Sequence, residues 1–118
     1  MRATNGPATR QRRNRVLKRA KGFVGRRKLF RTAKETSLRA DAFAFAHRRQ
    51  RKLQFRSLWI TRLSAAASAH GLLYSRFIHG IQKAGIALNR KELSELAIHD
   101  PVTFGRICEQ ARAALAQS

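Results

Sequence analysis

The chain has 118 residues, enough for one ordinary domain but not for two. It carries 26 Lys and Arg against 6 Asp and Glu, and a formal net charge of +20 opposes compaction unless a polyanion neutralises it. The one cysteine, Cys108, excludes an internal disulfide, and no apolar stretch approaches the roughly 20 residues that cross a bilayer. These features favour a reducing compartment and a nucleic acid, an anionic membrane or an acidic protein as partner.

The positive charge is concentrated in the first half of the chain. Residues 1–62 contain 20 Lys and Arg against Glu35 and Asp41, a net charge of +18, whereas residues 63–118 have a net charge of +2. This asymmetry is typical of a basic arm joined to a globular head. We therefore predict an all-α protein in which residues 1–57 form a basic, largely helical extension and residues 58–118 a small globular helical domain.

The first thirty residues are predicted to contain a tail, a helix and a turn. Residues 1–9 include Gly6 and little that is apolar, and we predict a tail without its own fold. Residues 10–21 are compatible with a helix. Gly22 and Gly25 then predict a turn or a break in the chain.

A long helix is predicted in the middle of the chain. Residues 26–70 contain neither Gly nor Pro and are rich in Ala, Leu, Arg, Lys and Gln, all good helix formers. Gly71 follows His70 in the C′ position, where glycine commonly ends a helix. The stretch 26–57 has too few apolar residues for a core face, so we expect it to be ordered mainly when it is bound.

Two shorter helices are predicted after the long one. Ser75 can cap a helix over residues 76–84, which Gly85 would end. Asn89 and Glu92 stand three residues apart, the spacing of a capping box. They predict a second helix that runs to about residue 98 or 99.

A final helix and a small core complete the predicted head. Asp100 can cap this helix with Pro101 in its first turn, and the helix should run to about residue 116. Apolar residues recur at i, i+3 and i+4 along the head and predict one all-α core. The predicted core residues are Leu58, Trp59, Leu63, Phe77, Ile78, Ile81, Leu93, Leu96, Ala97, Phe104, Ile107, Cys108, Ala111 and Leu115.

Clusters of cations are the strongest functional signal. The densest is Arg-Arg-Gln-Arg-Lys at 48–52, whose charges would project around most of a helix, a surface suited to a path between RNA segments. Each cation can neutralise a phosphate and release counterions, and the guanidinium fork can contact a phosphate with two N–H groups. The predicted RNA-binding residues of the arm are Arg10, Arg12, Arg13, Arg15, Lys18, Arg19, Lys21, Arg26, Arg27, Lys28, Arg31, Arg48, Arg49, Arg51, Lys52, Arg56 and Arg62.

Fewer residues of the head are predicted to contact RNA, and they would recognise its shape. They lie at helix ends or off the apolar stripes: Arg62, Ser75, Arg76, His79, Lys83, Asn89, Arg90 and Lys91. Five phenylalanines are interleaved with the arm cations: Phe23, Phe30, Phe43, Phe45 and Phe55. Each of them either stacks on an unpaired base or packs against a neighbouring helix.

Residues that could carry enzyme chemistry are scarce. The four histidines show no metal-ligand spacing, and there is no glycine-rich phosphate loop before a helix. Glu92 and Glu95 are typical of a helix N-terminus, which favours anions, and Cys108 lies on an apolar stripe as a packing residue. We therefore predict no catalytic, metal or cofactor residues, no cofactor and no small-molecule substrate.

Six segments have an order and spacing typical of one protein family. They are VLKRAKGF at 16–23, FRTA at 30–33, RRQRK at 48–52, FRSLWITR at 55–62, GxxYSxFIxG at 71–80 and LNRKxLxxLA at 88–97. Together they resemble the L-twenty family of the bacterial-type large ribosomal subunit. At two places the chain departs from the family pattern: Ala46-His47 stands where an Arg-Asp pair is common, and Leu53 where a basic residue is common.

The resemblance implies a helical extension that threads through large-subunit (23S-type) ribosomal RNA and a helical head docked on an RNA junction. It also implies action early in subunit assembly and neighbours among the large-subunit proteins, notably the thirteenth and the twenty-first. Some members of the family repress their own synthesis by binding their messenger RNA. The expected location is the ribosome, in the cytoplasm of a bacterium or in an organelle.

Two other classes of function are also compatible with this sequence. An architectural DNA-binding protein would need the same density of cations. A membrane-active basic protein would not need a capped, charge-balanced head, and the arm lacks the broad apolar face of an interfacial helix, so we expect no membrane partner.

Overall fold

The computed structural model describes residues 4–117, and over this range the chain is entirely helical outside its turns. Its helices are α1 (Gly6–Arg19), α2 (Phe30–Ala69), α3 (Tyr74–Lys83), α4 (Arg90–His99) and α5 (Pro101–Ala116). They form two compact units, Met1–Gln50 and Arg51–Ser118. The predicted all-α class, with one long helix and a small helical C-terminal part, is confirmed.

Helix α1 begins earlier than predicted. The side chain of Asn5 accepts a hydrogen bond from the N–H of Ala8 at 3.2 Å, and Pro7 occupies the first turn, where its fixed φ suits a helix. The prediction of an unfolded tail over residues 1–9 is therefore wrong from Gly6 onward. Residues 1–3 of that tail lie outside the described part of the chain.

The turn between α1 and α2 is confirmed, and it is longer than predicted. Gly22 and Gly25 have φ of 86° and 95°, a conformation that favours glycine. The N–H of Leu29 then bonds to the carbonyl of Arg26 at 3.1 Å, which closes a turn before the helix. Helix α2 consequently begins at Phe30 rather than at Arg26.

The first unit has a narrow buried contact made by small residues. Ala20, Ala33 and Ser37 are its buried side chains among the described residues. An ion pair of 2.5 Å between Arg19 and Asp41 links α1 to α2 on the exposed side of this contact. Beyond Ser37, every residue of α2 as far as position 58 is exposed.

The core of the second unit follows the apolar stripes of its helices. Phe77 and Phe104 are fully buried, with ring centroids 5.4 Å apart. The other buried members of this core are Leu63, Ala67, Leu72, Ile81, Leu93, Ile107, Cys108 and Ala111. The stripes predicted on α3, α4 and α5 are thus confirmed, except that Leu115 at the end of α5 is half-buried and lies outside this core.

The core prediction is wrong at one end of its α2 patch. Leu58 is 41% exposed. It precedes buried Leu63 by five residues, and at 100° per residue the two side chains point about 140° apart around the helix. Trp59 lies on the same face as Leu63 but one turn earlier, and it is half-buried. Both side chains line an open cavity instead of filling the core.

Glycine ends α2 as predicted. Gly71 has a φ of 71°, and its N–H bonds to the carbonyl of Ser68 at 2.9 Å. The N–H of Leu72 bonds to the carbonyl of Ala67, also at 2.9 Å, which completes a Schellman motif. Arg112 of α5 donates a further hydrogen bond to the carbonyl of His70.

The predicted N-caps of α4 and α5 are confirmed. The N–H of Glu92 bonds to the side chain of Asn89 at 2.9 Å, and the Glu92 carboxylate accepts from the N–H of Asn89 at 2.8 Å, so the capping box is complete. Asp100 accepts from the N–H of Thr103 at 3.0 Å and from its hydroxyl. The hydrogen bond from the Thr103 hydroxyl, followed by that from its N–H, lowers the pKa of Asp100 below 3.8.

The predicted cap at Ser75 is wrong. The N-cap of α3 is Leu73, in an extended conformation and without a side-chain hydrogen bond. The N–H of Phe77 already bonds to the carbonyl of Leu73 at 2.8 Å, so Ser75 lies inside the first turn. Gly85 ends this helix as predicted.

Candidate nucleic-acid interface

The predicted cations of the first unit are all exposed. Those on α1 project from an exposed helix, Arg26, Arg27 and Lys28 lie in the turn, and Arg31 opens α2. Among the described residues, carboxylates pair with only two of the unit's cations: Arg19 with Asp41, and Arg31 with Glu35 at 3.3 Å. The unit therefore presents a largely uncompensated positive surface to solvent.

The cluster at 48–52 lies on the fully exposed part of α2. Arg49 is the one member with a defined partner: its guanidinium carbon lies 3.8 Å from the centroid of the Phe45 ring, and its NH1 donates to the Phe45 carbonyl at 3.4 Å. This cation–π contact holds the guanidinium along the helix surface. No carboxylate lies close enough to any cation of the cluster to form an ion pair within residues 4–117.

The five interleaved phenylalanines avoid the core. Phe23 is half-buried, and the other four are exposed. Phe30 lies beneath Arg13, whose guanidinium carbon is 5.7 Å from the ring centroid. Phe43 lies beside His47 at a centroid separation of 5.7 Å. The contact with Arg13 of α1 therefore covers Phe30 only in part, and Phe43, Phe45 and Phe55 stay about half exposed.

An open cavity of about 940 Å³ in the second unit brings several predicted residues together. It lies between the exposed face of α2 and the N-terminus of α4. Arg51, Lys52, Arg56, Arg62, Asn89, Arg90 and Lys91 line it, together with residues that had not been predicted to bind RNA: Leu53, Leu58, Trp59 and Glu95. Phe55, a predicted stacking residue, is also part of the lining.

Arg90 is held in place at the edge of this cavity. Its Nε donates a hydrogen bond to the hydroxyl of Tyr74 at 2.9 Å, a contact between the first residues of α4 and α3. Asn89, next to it, is engaged in the capping box of α4. The cap thus holds the start of α4, and the tyrosine holds the Arg90 side chain.

The remaining predicted residues of the head lie elsewhere on α3. Ser75, Arg76, His79 and Lys83 are exposed, but they do not line the cavity. Sequence reasoning missed Tyr74 and assigned Trp59 to the core. Trp59 follows Phe55 by four positions on a basic helix, a spacing that places both aromatic rings on one face and could have indicated a shared surface. No sequence pattern links Tyr74 to Arg90.

The described residues do not assemble a centre of enzyme chemistry. No group of three or more His, Cys, Asp or Glu among residues 4–117 could hold a metal ion. Cys108 is buried in the core, as predicted, and burial raises the pKa of its thiol to about 11, so it is protonated and unreactive at neutral pH.

No helix within residues 4–117 is long and apolar enough to cross a membrane. An exposed array of cations with few ion-paired partners, carried on helices, is typical of a polyanion-binding protein of the structural kind.

Comparison with known proteins identifies the family. The family model for ribosomal protein L20 matches residues 2–107. The large ribosomal subunit protein bL20 of Rhodopirellula baltica is 57% identical over 117 residues, which cover 98% of this chain and 99% of that protein. The protein of the same name from Chlamydia trachomatis serovar D is 58% identical over 116 residues (98% and 94%), and that from Chlamydia muridarum 55% over 119 residues (100% and 97%).

The chain therefore belongs to the ribosomal protein L20 family. This confirms the resemblance found in the sequence and the prediction that the protein is not an enzyme. Its location is the cytoplasmic ribosome of the bacterial type, and its partners are ribosomal RNA and ribosomal proteins.

Proposed function

We propose that this structural protein of the large ribosomal subunit binds large-subunit (23S-type) RNA directly and is needed for assembly of the subunit. The observation that supports the proposal most strongly is the state of the arm cations. All cations of the first unit between residues 4 and 50 are exposed, and only Arg19 and Arg31 among them pair with carboxylates of the described chain. Phosphates would relieve this self-repulsion and release counterions.

The two parts of the chain would contribute differently. The extension, residues 1–57, would neutralise phosphates and hold RNA segments together, because its α2 portion is exposed from Leu38 onward and has no protein core to cover it. The head, residues 58–118, would recognise RNA shape with residues that its packed helices hold in place, such as Arg90. Rigid placement of contacts favours selective recognition over general attraction.

The proposal extends to particular neighbours by family resemblance. The thirteenth and twenty-first proteins of the large subunit are the proposed protein neighbours. The chain's own messenger RNA is a further proposed ligand, through which the protein would repress its own synthesis.

A filter-binding comparison tests direct RNA binding. We expect the full chain to bind a large-subunit ribosomal RNA fragment more tightly than duplex DNA of equal length at raised salt. Equal affinity for the two would favour the alternative, an architectural DNA-binding protein. Failure to bind ribosomal RNA would overturn the proposal.

Salt dependence tests which cations are used. The variant R48Q/R49Q/R51Q should reduce the slope of log K against log salt concentration by about 2, since each lost phosphate contact removes roughly 0.7–0.9. The matched control is K34Q/R39Q/R106Q, which removes three exposed cations outside the predicted set. An equal reduction in the control would contradict a specific role for the cluster.

A further inference from the structure

We propose that the cavity of the second unit is a nucleotide-binding pocket that receives an unpaired RNA base against Phe55 and Trp59 and a flanking phosphate on Arg90. The inference rests on the proposed RNA binding and names a site within it. A volume of about 940 Å³ is enough for one nucleotide together with part of the neighbouring backbone.

The aromatic part of the pocket is a Phe55–Trp59 pair that is partly open to solvent. Phe55 is 49% exposed, and its ring centroid lies 6.2 Å from that of Trp59 at an interplanar angle of 30°. Leu53 and Leu58 extend this apolar surface and are 70% and 41% exposed. An apolar surface left open to water is unfavourable until something covers it. A nucleobase has a flat face that stacks on such rings whatever its sequence.

One cation of the pocket, Arg90, is held in place before any ligand binds. Tyr74 accepts a hydrogen bond from Nε of Arg90, which fixes the guanidinium and leaves its terminal N–H groups to contact a phosphate. Holding a long side chain in its bound geometry lowers the entropic cost of binding. Tyr74 thus acts as a positioning residue for Arg90.

The balance of charge favours a nucleotide over a protein segment. Six cations line the cavity, and Glu95 is the only carboxylate in its lining. A nucleotide satisfies both halves of the surface, because its base is apolar on its faces and its phosphates are anionic. A carboxylate-rich peptide would satisfy the cations and leave the aromatic surface uncovered.

Trp59 is the only tryptophan of the chain, so its fluorescence reports directly on the pocket. We would titrate the full chain with a short oligouridylate and, separately, with an abasic ribose-phosphate oligomer of the same length and charge. The oligouridylate should quench Trp59 strongly and the abasic oligomer weakly. If the abasic oligomer or oligoglutamate quenched Trp59 as strongly as the oligouridylate does, the proposed nucleotide-binding pocket would be wrong.

Two variants separate stacking from charge. Phe55→Leu keeps an apolar side chain and should weaken oligouridylate binding about tenfold, with no change for the abasic oligomer. The control is Val102→Ala, which shortens a 67% exposed apolar side chain of the second unit outside the pocket and should leave both affinities unchanged. Equal losses in the two variants, or no loss in Phe55→Leu, would contradict the inference.

A double-mutant cycle tests the role of Tyr74. Tyr74→Phe should weaken oligouridylate binding about threefold in the parent chain and have no further effect in an Arg90→Lys background, because it acts through Arg90. Additive losses would refute this positioning role.

Binding of the parent chain to a ribosomal RNA fragment, measured in parallel, separates the two proposals. If that binding is retained while the pocket tests fail, the pocket is wrong and the proposed function stands. If that binding is absent, the proposed function itself fails.

Discussion

Gly80 of α3 lies directly against the backbone of Ala111 in α5. A Cβ atom built on Gly80 would stand 2.6 Å from the carbonyl oxygen of Ala111 and 2.9 Å from its Cβ. Both residues are buried. The absence of a side chain at position 80 is therefore what lets the two helices meet, beside the Phe77–Phe104 contact at the centre of the core.

Substituting Gly80 by Ala should destabilise the second unit. Alanine gains up to about 1 kcal/mol of helix propensity over glycine, but the clash lies against backbone and forces the helices apart, with a net loss of about 1–3 kcal/mol. Urea unfolding of the full chain, followed by circular dichroism, measures the change.

Gly105→Ala is the matched control for Gly80→Ala. A Cβ at position 105 would lie 3.3 Å from Cε1 of His70, an exposed side chain that can move. We expect a change of less than about 1 kcal/mol, because the helix propensity of alanine offsets the contact. A larger loss at Gly105 than at Gly80 would contradict the importance of the backbone contact.

Asn89→Ala should destabilise the second unit by about 1 kcal/mol, because it removes half of the capping box of α4. Ser75→Ala is the control: the hydroxyl lies inside the first turn of α3 and caps nothing, so we expect a change within about 0.5 kcal/mol. The comparison uses the free energy of unfolding in urea. Equal losses would mean that Ser75 has the capping role the structure denies it.

The contrast between Ser75 and Asn89 shows how far sequence alone could reach. Asn89 and Glu92 have the three-residue spacing of a capping box, so a local pattern was enough to predict both the cap and the start of α4. Ser75 carries an equally good capping side chain, but α3 starts earlier, and Tyr74 and Phe77 of its first turn pack on the core. Tertiary contacts decided between two locally acceptable starts.

The candidate site also combines residues that the local sequence could predict with residues that only the tertiary fold brings together. The exposed cations of the arm could be predicted because charge density alone excludes them from a core. That Arg56, Trp59 and Arg90 line one cavity could not be predicted, since it depends on where the tertiary fold places the start of α4 relative to the end of α2. The Tyr74–Arg90 hydrogen bond spans sixteen residues and has no periodic signal in the sequence.

The α2 segment between Ser37 and Leu63 should exchange its amide hydrogens quickly in the free chain. It has no buried residue, and its close-spaced like charges repel one another along the helix. Hydrogen exchange followed by mass spectrometry should show slow exchange in α3 and α5, and slow exchange over residues 26–57 only when ribosomal RNA is added. Strong protection of residues 26–57 without RNA would refute this prediction.

The stability of the second unit should fall as the pH rises from 9.0 to about 11. Burial raises the pKa of Cys108 from 9.0 to about 11, so in this range the unfolded thiol ionises while the folded thiol stays protonated. The unfolded state is therefore favoured, by on the order of 1–2 kcal/mol at the upper end. Cys108→Ala should remove this part of the slope, which the difference between the two urea-unfolding profiles isolates. If the free energy of unfolding changed with pH in the same way in the parent chain and in Cys108→Ala, this prediction would be wrong.

Reversing the charge of the 48–52 cluster should block assembly of the large subunit. The variant R48E/R49E/R51E places carboxylates where the exposed helix is proposed to pass between phosphates, which turns attraction into repulsion at each contact. In cells whose only copy is this variant, sucrose-gradient profiles should show large-subunit precursors in place of mature subunits. The control, K34E/R39E/R106E, makes the same change in net charge at exposed cations outside the predicted set and should leave most subunits mature. Mature profiles from the cluster variant would show that assembly does not need these cations.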